Sequence, residues 1–477
     1  MRWLEKSGIG DLSTKMYHVM SLAWVGTICH ALLRQGRIIT VLLEVMSAMD
    51  KDIQKNKVVS LNIPILTDGA HGVDVSQTSS RVSSLDRWIA RKLLDLLNHP
   101  PLALVLWNGE EISSSTPDAR VHIRDSEVLH QLLMNPALHF GDLYSVGRID
   151  IDGDLVEFLE TAYRATASLP KYHKLMTAQT WLFNRTRPNR ITDSRDNIHH
   201  HYDIGNDFYE LWLDSEALQY TCAYFPSADL TLEQAQRAKM DHVCRKLRLK
   251  PGDRVVEAGC GWGGFARHMA KHYGVRVTSY NISHQQIVYA REKAKAEGLD
   301  GKVVYVEDDY RLIAGKYDVF VSIGMLEHVG RDHYRDLGNV IHRCLAPDGR
   351  GLIHSIGRNK PEPINAWIEK RIFPGGYPPT LREMMDVFEE HEFSVLDIEN
   401  LRLHYAKTLE HWLARFNRHA EKIERMYDSA FMRAWRLYLA GSTAGFSAGT
   451  LQLFQVVFTR GANNDIPWSR AHLYETD

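Results

Sequence analysis

The stretch "EAGCGWGGF", Glu257 to Phe265, holds four glycines, Gly259, Gly261, Gly263 and Gly264, within six residues, between an apolar run and a helical pattern. Backbone without side chains lets a ligand lie directly against main-chain groups. A nucleoside triphosphate needs a lysine followed by Ser or Thr to close such a loop; here Phe265 and Ala266 follow the glycines, and that reading fails. A dinucleotide suits the G-x-G, but its third glycine falls at Gly264, where Trp262 and the extra Gly263 disturb the pattern. S-adenosylmethionine is the third class: its amino-acid end can rest on bare backbone, and its uncharged linkage needs no phosphate cradle. The loop alone leaves the last two open. The run His199 to His201 invites a metal, but adjacent residues cannot all face one ion and no matching Cys/His set accompanies them, so none is expected.

A glycine loop of this kind must be carried by a strand and followed by a helix. Around it "DRVVEAG" predicts a strand, "GFARHMAKHYG" a helix, "VRVTSYN" a strand, "SHQQIVYAREKAKAEG" a helix, and "KVVYVED" and "YDVFVSIG" two strands. "YRDLGNVIHRCLAPDG" then predicts a helix ended by Pro and Gly, and "RGLIHSIG" a strand. Such a series predicts an α/β fold with a doubly wound parallel sheet. Ligands of these sheets lie beyond the carboxyl ends of the strands, nearest the first strand-to-helix turn. Further on, "LQLFQVVFTRG" predicts one more strand, after a long helical stretch from about Thr408 to Leu439.

At 477 residues the chain exceeds one ordinary core. Residues 1–80 read as an extension of no assigned function, ending in the Gly/Ser-rich "DGAHGVDVSQTSSRVSS". Residues 81–170 read as a smaller N-terminal α+β domain, lipid- or dimer-related, with helical patterning in "LDRWIARKLLDLL", a strand-like "LALVLW", then "EVLHQLLMN" and "DLVEFLETAYRA". Residues 171–195 form a basic linker, 196–461 the catalytic domain and 462–477 a tail. Between Lys171 and Thr192 five Lys and Arg and no acid interleave with Tyr172, Trp181 and Phe183, which suits either a solvated helix or contact with anionic headgroups. Lys and Arg (57) nearly balance Asp and Glu (59), so no global field draws the chain to nucleic acid or to a membrane. Five scattered cysteines give no disulfide framework and favour the cytoplasm. The apolar run Met16 to Leu33 contains His18 and His30 and is short for a span, and no basic segment with a small-residue cleavage site begins the chain, so neither a spanning helix nor export is expected.

"EAGCGWGG" resembles the first motif of the class I S-adenosylmethionine-dependent methyltransferases, whose Rossmann-like fold is a doubly wound sheet. Most of them hold the ribose with an acid at the end of the second strand; "VTSYNIS" offers Asn281, and an amide can also hydrogen-bond a diol. Ser283 and Gln286 fit an S-x-x-Q capping box, which makes a helix cap the first expectation for Gln286. Four further stretches, "HHHYDIGNDFYELWLD", "YTCAYF", "SIGMLEHVG" and "LIHSIG", followed by "LRLHYAKTLEHW", resemble the cyclopropane-fatty-acyl-phospholipid synthases with the mycolic acid cyclopropane synthases and fatty-acid methyltransferases. The resemblance covers roughly Asp196 to Gly461. It implies a bicarbonate ion beside the cofactor's methyl, held by side chains matching Cys222, Glu327, His354 and Tyr405 with a backbone contact at Ile356. It also implies cofactor contacts at Tyr220, Thr221, Gly259, Gly261, Asn281, Gln286 and Asp309. The family often has Asp and a branched residue where this chain has Glu257 and Ala258.

The chemistry so implied adds a methylene to a cis double bond of an unsaturated phospholipid, through a carbocation that loses a proton to bound bicarbonate. The four side chains are expected to form the anion cradle. "RIFPGGYPPTLREMMDVF" and "FMRAWRLYLAGSTAGF" are expected to line an apolar tunnel for the chain, their aromatic faces suiting a transient cation. The expected setting is cytoplasmic, peripheral to the inner membrane face, with a homodimer as the expected assembly. Two alternatives are a relative that yields a methyl-branched or methylene chain and a catalytically silent lipid-binding module.

Overall fold

The computed structural model describes residues 81–167 and 204–474. The extension at 1–80 with its apolar run, the basic linker and the histidine run therefore lie outside the described residues. The first described unit contains α1 (Ser84–Leu96), β1 (Leu102–Val105), β2 (Glu111–Ser113), β3 (Ala119–Ile123), α2 (Ser126–Met134), α3 (Pro136–Ser145), β4 (Ile149–Asp152) and α4 (Leu155–Ala167). Helix α1 starts because Ser83 and Asp86 form a capping box, with the Asp86 backbone N–H donating to Ser83 Oγ at 3.1 Å and the Ser83 N–H to Asp86 Oδ2 at 2.8 Å. The buried Asp86 also accepts from Ser126 Oγ, which ties α1 to the start of α2. The four strands run β2-β1-β3-β4, parallel only between β1 and β3. Three of these strands and α3 escape the periodicity reading, because the strands are three to five residues long and α3 begins at its own Asn135 cap directly after α2.

The larger unit begins with a short helix, α5 (Asn206–Tyr209), and the long α6 (Leu232–Lys246). Then β5 (Arg254–Ala258), α7 (Gly264–His272), β6 (Arg276–Asn281), α8 (His284–Ala296), β7 (Val303–Glu307), β8 (Tyr317–Ile323), α9 (Leu326–Val329), α10 (Tyr334–Cys344) and β9 (Leu345–Gly357) follow in the expected alternation. Val255, Val256, Val319, Phe320 and Val321 are fully buried, the unbroken apolar run of parallel strands covered on both faces. The rest of the unit is α11 (Ala366–Arg371), α12 (Leu381–Met384), β10 (Phe393–Asn400), α13 (Arg402–Arg418), α14 (Ala420–Met426), α15 (Ser429–Ser447) and β11 (Gln452–Arg460). The seven-stranded sheet has the order β10-β11-β9-β8-β5-β6-β7, and β11 alone runs antiparallel to its neighbours. Chain order reverses at β5, so the glycine loop sits at the switch point where such sheets bind ligands.

Three local expectations are corrected. Helix α10 stops at Cys344, and "LAPDG" enters β9 through a register irregularity against β8 that accommodates Pro347. The single helical stretch from Thr408 to Leu439 is three helices, α13 to α15, the last restarted by Asp428, whose carboxylate accepts from the Phe431 N–H at 2.6 Å. Strand β10 was not anticipated; its mixed burial gives no clean alternation.

The two units meet along α15 and α11. Arg433 on α15 donates to the carbonyls of Tyr144 (2.7 Å) and Ile149 (2.9 Å), and its guanidinium lies 4.3 Å from the Tyr144 ring centroid. Arg371 grips Asp142 with two bonds of 2.9 and 3.0 Å, and a Cβ on Gly141 would strike the Trp367 ring. Replacing Arg433 by Met keeps the aliphatic stem and removes these bonds, a loss of about 1–3 kcal/mol. Hydrogen exchange should quicken across residues 84–167 in R433M and stay unchanged in β5 to β9.

Candidate active site

The carboxyl ends of the parallel strands collect the residues expected to act. Gly259 and Gly261 follow β5, Asn281 ends β6, Asp309 follows β7, Gly324 and Glu327 follow β8, and His354 and Ile356 lie at the end of β9. In the glycine loop Gly261 has a φ of 50° and open space where a Cβ would project, whereas a Cβ at Gly264 would run into the Ala217 carbonyl. The loop thus has one face closed by packing and one able to receive a ligand. Trp262 Nε1–H donates to Asn206 Oδ1 at 2.8 Å, pinning the loop to α5.

Asn281 bridges loop and helix: its Nδ2 donates to the Gly261 carbonyl at 3.3 Å and to Gln286 Oε1 at 2.8 Å. The capping box expected for Ser283 and Gln286 is absent; Ser283 caps by position only, and Gln286 Nε2, though buried, has no partner among the described residues. Gln286 is therefore held by Asn281 through its oxygen, which leaves its buried amino group unsatisfied among the described residues. Asp309 is buried, and its carboxylate is held by Arg311 through Nε and a terminal nitrogen, both at 2.7 Å. Glu257 accepts from Ser279 Oγ at 2.6 Å, and burial pushes its carboxyl up to about 7.

Tyr220, Thr221, Gly324, Glu327, His354, Ile356 and Tyr405 line one cavity of about 680 Å³. Tyr220 is fixed by a 2.9 Å hydroxyl contact with Tyr438, and Tyr405 packs on Phe446 with centroids 4.5 Å apart. Phe373, Gly376, Tyr377 and Pro378 from the first proposed tunnel segment line it, as do Leu437, Tyr438, Gly441, Ser442, Gly445 and Phe446 from the second. Met384, Phe388, Phe431 and Trp435 belong to the core instead.

Within this cavity Glu327 accepts the Ile356 N–H on Oε1 at 2.6 Å, while Oε2 has no partner among the described residues. Burial pushes the carboxyl up to about 7. The Ile356 backbone, expected to contact the anion, thus has its N–H engaged by Glu327. Cys222 departs further from expectation: it is fully buried, is not among the cavity's lining residues, and points its Sγ at the Ala223 carbonyl, 3.1 Å away. Burial raises its thiol pKa, so it stays protonated.

Two residues were not singled out from sequence. Lys239, wholly buried on α6, donates to Gln219 Oε1 and, at 3.1 Å, to Thr221 Oγ1, holding the Tyr220–Thr221 loop; burial lowers its pKa to about 8. A lysine on the apolar face of "LEQAQRAKMDHVCRK" was the available signal. Gln455 stands opposite His354 in the β9–β11 register and approaches His354 Nδ1 at 3.1 Å. Its Oε1 accepts from Lys246 Nζ at 2.7 Å, and Lys246 in turn donates to Glu399 at 2.6 Å. An ammonium only donates, so the Gln455 amide cannot flip: its amino group must face His354 Nδ1, which must accept. The imidazole proton therefore sits on Nε2. Burial, with Lys239 and Lys246 nearby, lowers the His354 pKa to about 3 and keeps the ring neutral. His354 is a fixed hydrogen-bond donor, unsuited to serve as a base.

A carboxyl raised from 4.5 to about 7 keeps its proton where the unfolded chain has lost it, so stability falls as pH rises through that window and stays lower above it. E327Q should flatten this slope, by on the order of 3 kcal/mol in chemical denaturation, while lowering turnover roughly 10²-fold with cofactor affinity kept. In Q455E, a carboxylate facing Nδ1 should draw a proton there; nitrogen NMR should report Nδ1–H at His354, with turnover down about tenfold. An unchanged tautomer would refute the amide orientation.

Residues 189–456 match the family described as mycolic acid cyclopropane synthetase, and residues 89–174 a domain of unknown function. A probable fatty acid methyltransferase of Pseudomonas putida is 34% identical over 388 residues, covering 79% of this chain and 97% of that protein. The cyclopropane-fatty-acyl-phospholipid synthase of Escherichia coli K12 is 37% identical over 369 residues, covering 76% and 93%. The structure of the cyclopropane synthase MmaA2 from Mycobacterium tuberculosis superposes with a TM-score of 0.53 at 29% identity, over 56% of this chain and 98% of that one. With the switch-point glycine loop and the doubly wound sheet, these matches establish that the chain belongs to the mycolic acid cyclopropane synthetase family and is an S-adenosylmethionine-dependent methyltransferase.

Proposed function

We propose that this methyltransferase adds a methylene to a cis double bond in an acyl chain of an unsaturated phospholipid, with bicarbonate as second ligand. The observation that carries the reading is the cavity, which is apolar over most of its length and whose carboxylates, imidazoles, Arg and Lys all come from residues 327–362, beside the sheet edge. An apolar chain with one reactive point fits that division. The relatives named for fatty-acyl and cyclopropane chemistry support it.

S-adenosylmethionine supplies the methyl group. Gly261 offers it open backbone, and Gln286, held by Asn281 through its oxygen, offers an amino group that has no partner among the described residues. An alkene has no proton to lose before it attacks, so methylation leaves a carbocation on the chain. Ring closure then requires removal of a proton from the new methyl. Bicarbonate supplies the base for that proton. Glu327 Oε2 lacks a partner, His354 presents Nε2–H, and Tyr405 lines the same cavity; these three suit an oxyanion carrying one proton, accepting from it and donating to it. The Cys222 side chain has no place in this set, and Ile356 acts by orienting Glu327. Exclusion of water by the apolar walls protects the cation from hydration. The aromatic Tyr405, Tyr438 and Phe446 faces suit the cation at about 0.5–2 kcal/mol each.

A substrate resident in a bilayer requires work at the membrane surface, and we place that work on its cytoplasmic side. Among the described residues no helix is long and apolar enough to cross a membrane. The fatty acid methyltransferase relative favours, as a second reading, a methyl-branched product. Incubation with S-adenosylmethionine and vesicles of monounsaturated phospholipid should release S-adenosylhomocysteine and yield a lipid one methylene heavier, whose ring or branch NMR resolves. Rigorous bicarbonate depletion should slow the reaction, and adding it back should restore the rate. No S-adenosylhomocysteine release with any unsaturated lipid would leave a silent lipid-binding module.

A further inference from the structure

The cavity does not stop at the catalytic unit. It runs on between α15 and α11 into the small unit, where Leu97, Leu102, Val121, Leu132, Phe140 and Phe158 form its wall. None of the residues that the small unit contributes is charged, and only Tyr163 and Thr166 bring a hydroxyl. Two glycines one helical turn apart on α15 border the passage and let its other walls pack close to the helix: a Cβ on Gly441 would stand 3.3 Å from the Tyr163 hydroxyl and one on Gly445 3.1 Å from Leu451. Glycine inside a helix is unfavourable, so two on one face of α15 call for a reason beyond the helix itself. The cavity they border provides it.

We infer that residues 84–167, which overlap the match at 89–174 to a domain of unknown function, form an acyl-chain pocket that takes the methyl-terminal tail beyond the reacting double bond. The inference rests on the phospholipid reading above and adds the direction of the chain. Among the described residues a headgroup entering this end would meet no charged side chain and only two side-chain hydroxyls, so the polar end of the lipid stays with Arg358, Asn359 and Lys360 at the catalytic side. The small unit thereby sets how much tail the enzyme accepts.

The test uses the full chain and phospholipids of one headgroup, with the double bond at a fixed distance from the carboxyl and progressively longer tails beyond it. A162F on α4 and A137F on α3 each place a ring in the pocket from a partly exposed, helix-compatible position; F158A enlarges it. Each methylene denied room costs about fourfold, so both Phe variants should lose at least tenfold in kcat/KM for long tails relative to short ones, and F158A should extend the accepted length. Cofactor affinity and thermal unfolding check that each variant folds, and two independent blockers with one opener keep the test decisive if one does not. A chain-length profile in the folded variants that coincides with wild type overturns the inference alone. Absence of transfer to any lipid by the wild-type enzyme overturns the proposed function and this inference with it.

Discussion

A buried carboxyl group with one oxygen satisfied and the other unpartnered is the constraint around which the site is arranged. Glu327 cannot sit beside an apolar cavity at low cost as an anion, and the fold answers by giving Oε1 the Ile356 N–H and holding the group near the middle of its titration range. The strand end that supplies this amide also carries His354, two residues earlier, so both side chains depend on the same short piece of β9. Position is set by backbone, which does not relax as a flexible side chain would. Polarity at this end of the cavity is thus confined to a few fixed groups.

Behind this front two buried lysines anchor a second row of polar residues, which meets the cavity only at Thr221. Lys246, Gln455 and Glu399 form one line, Lys239, Gln219 and Thr221 another, each lysine held by groups that can only accept from it. Burial of an ammonium is costly unless it is paired and fully hydrogen-bonded. Here that cost sustains directionality: a donor at one end of the chain fixes the orientation of an amide, and the amide fixes a proton on a ring. The cofactor side uses neutral groups for the same purpose, with Asn281 and Gln286 clasping the glycine loop.

Much of this was legible in the sequence where a local pattern carries the physics. The βαβ alternation, the glycine turn and the strand "LQLFQVVFTRG" each state a backbone preference within a dozen residues, and each stands where it was read. Cys222 was misplaced because residue type tells what a side chain can bond and nothing of which way it faces; its thiol turned to a neighbouring carbonyl. Gln286 was read as a cap from its spacing to Ser283, yet a tertiary partner, Asn281, took its oxygen. Gln455 was invisible because its importance arises only from a cross-strand register with His354 and a helix lysine far away in sequence. Three of the four strands of the small unit were too short for alternation to separate from loop.

Strand β11 lies between β9 and β10 and runs against them both, so the residue that orients His354 reaches it from 101 positions downstream. On the ribosome, where the chain emerges from its N-terminal side, the parallel strands can form while β9 still has an open edge. The finished arrangement is thereby withheld from the nascent polypeptide: a partly made chain has its glycine turn and its carboxyl, and still lacks the clamp that fixes the imidazole proton.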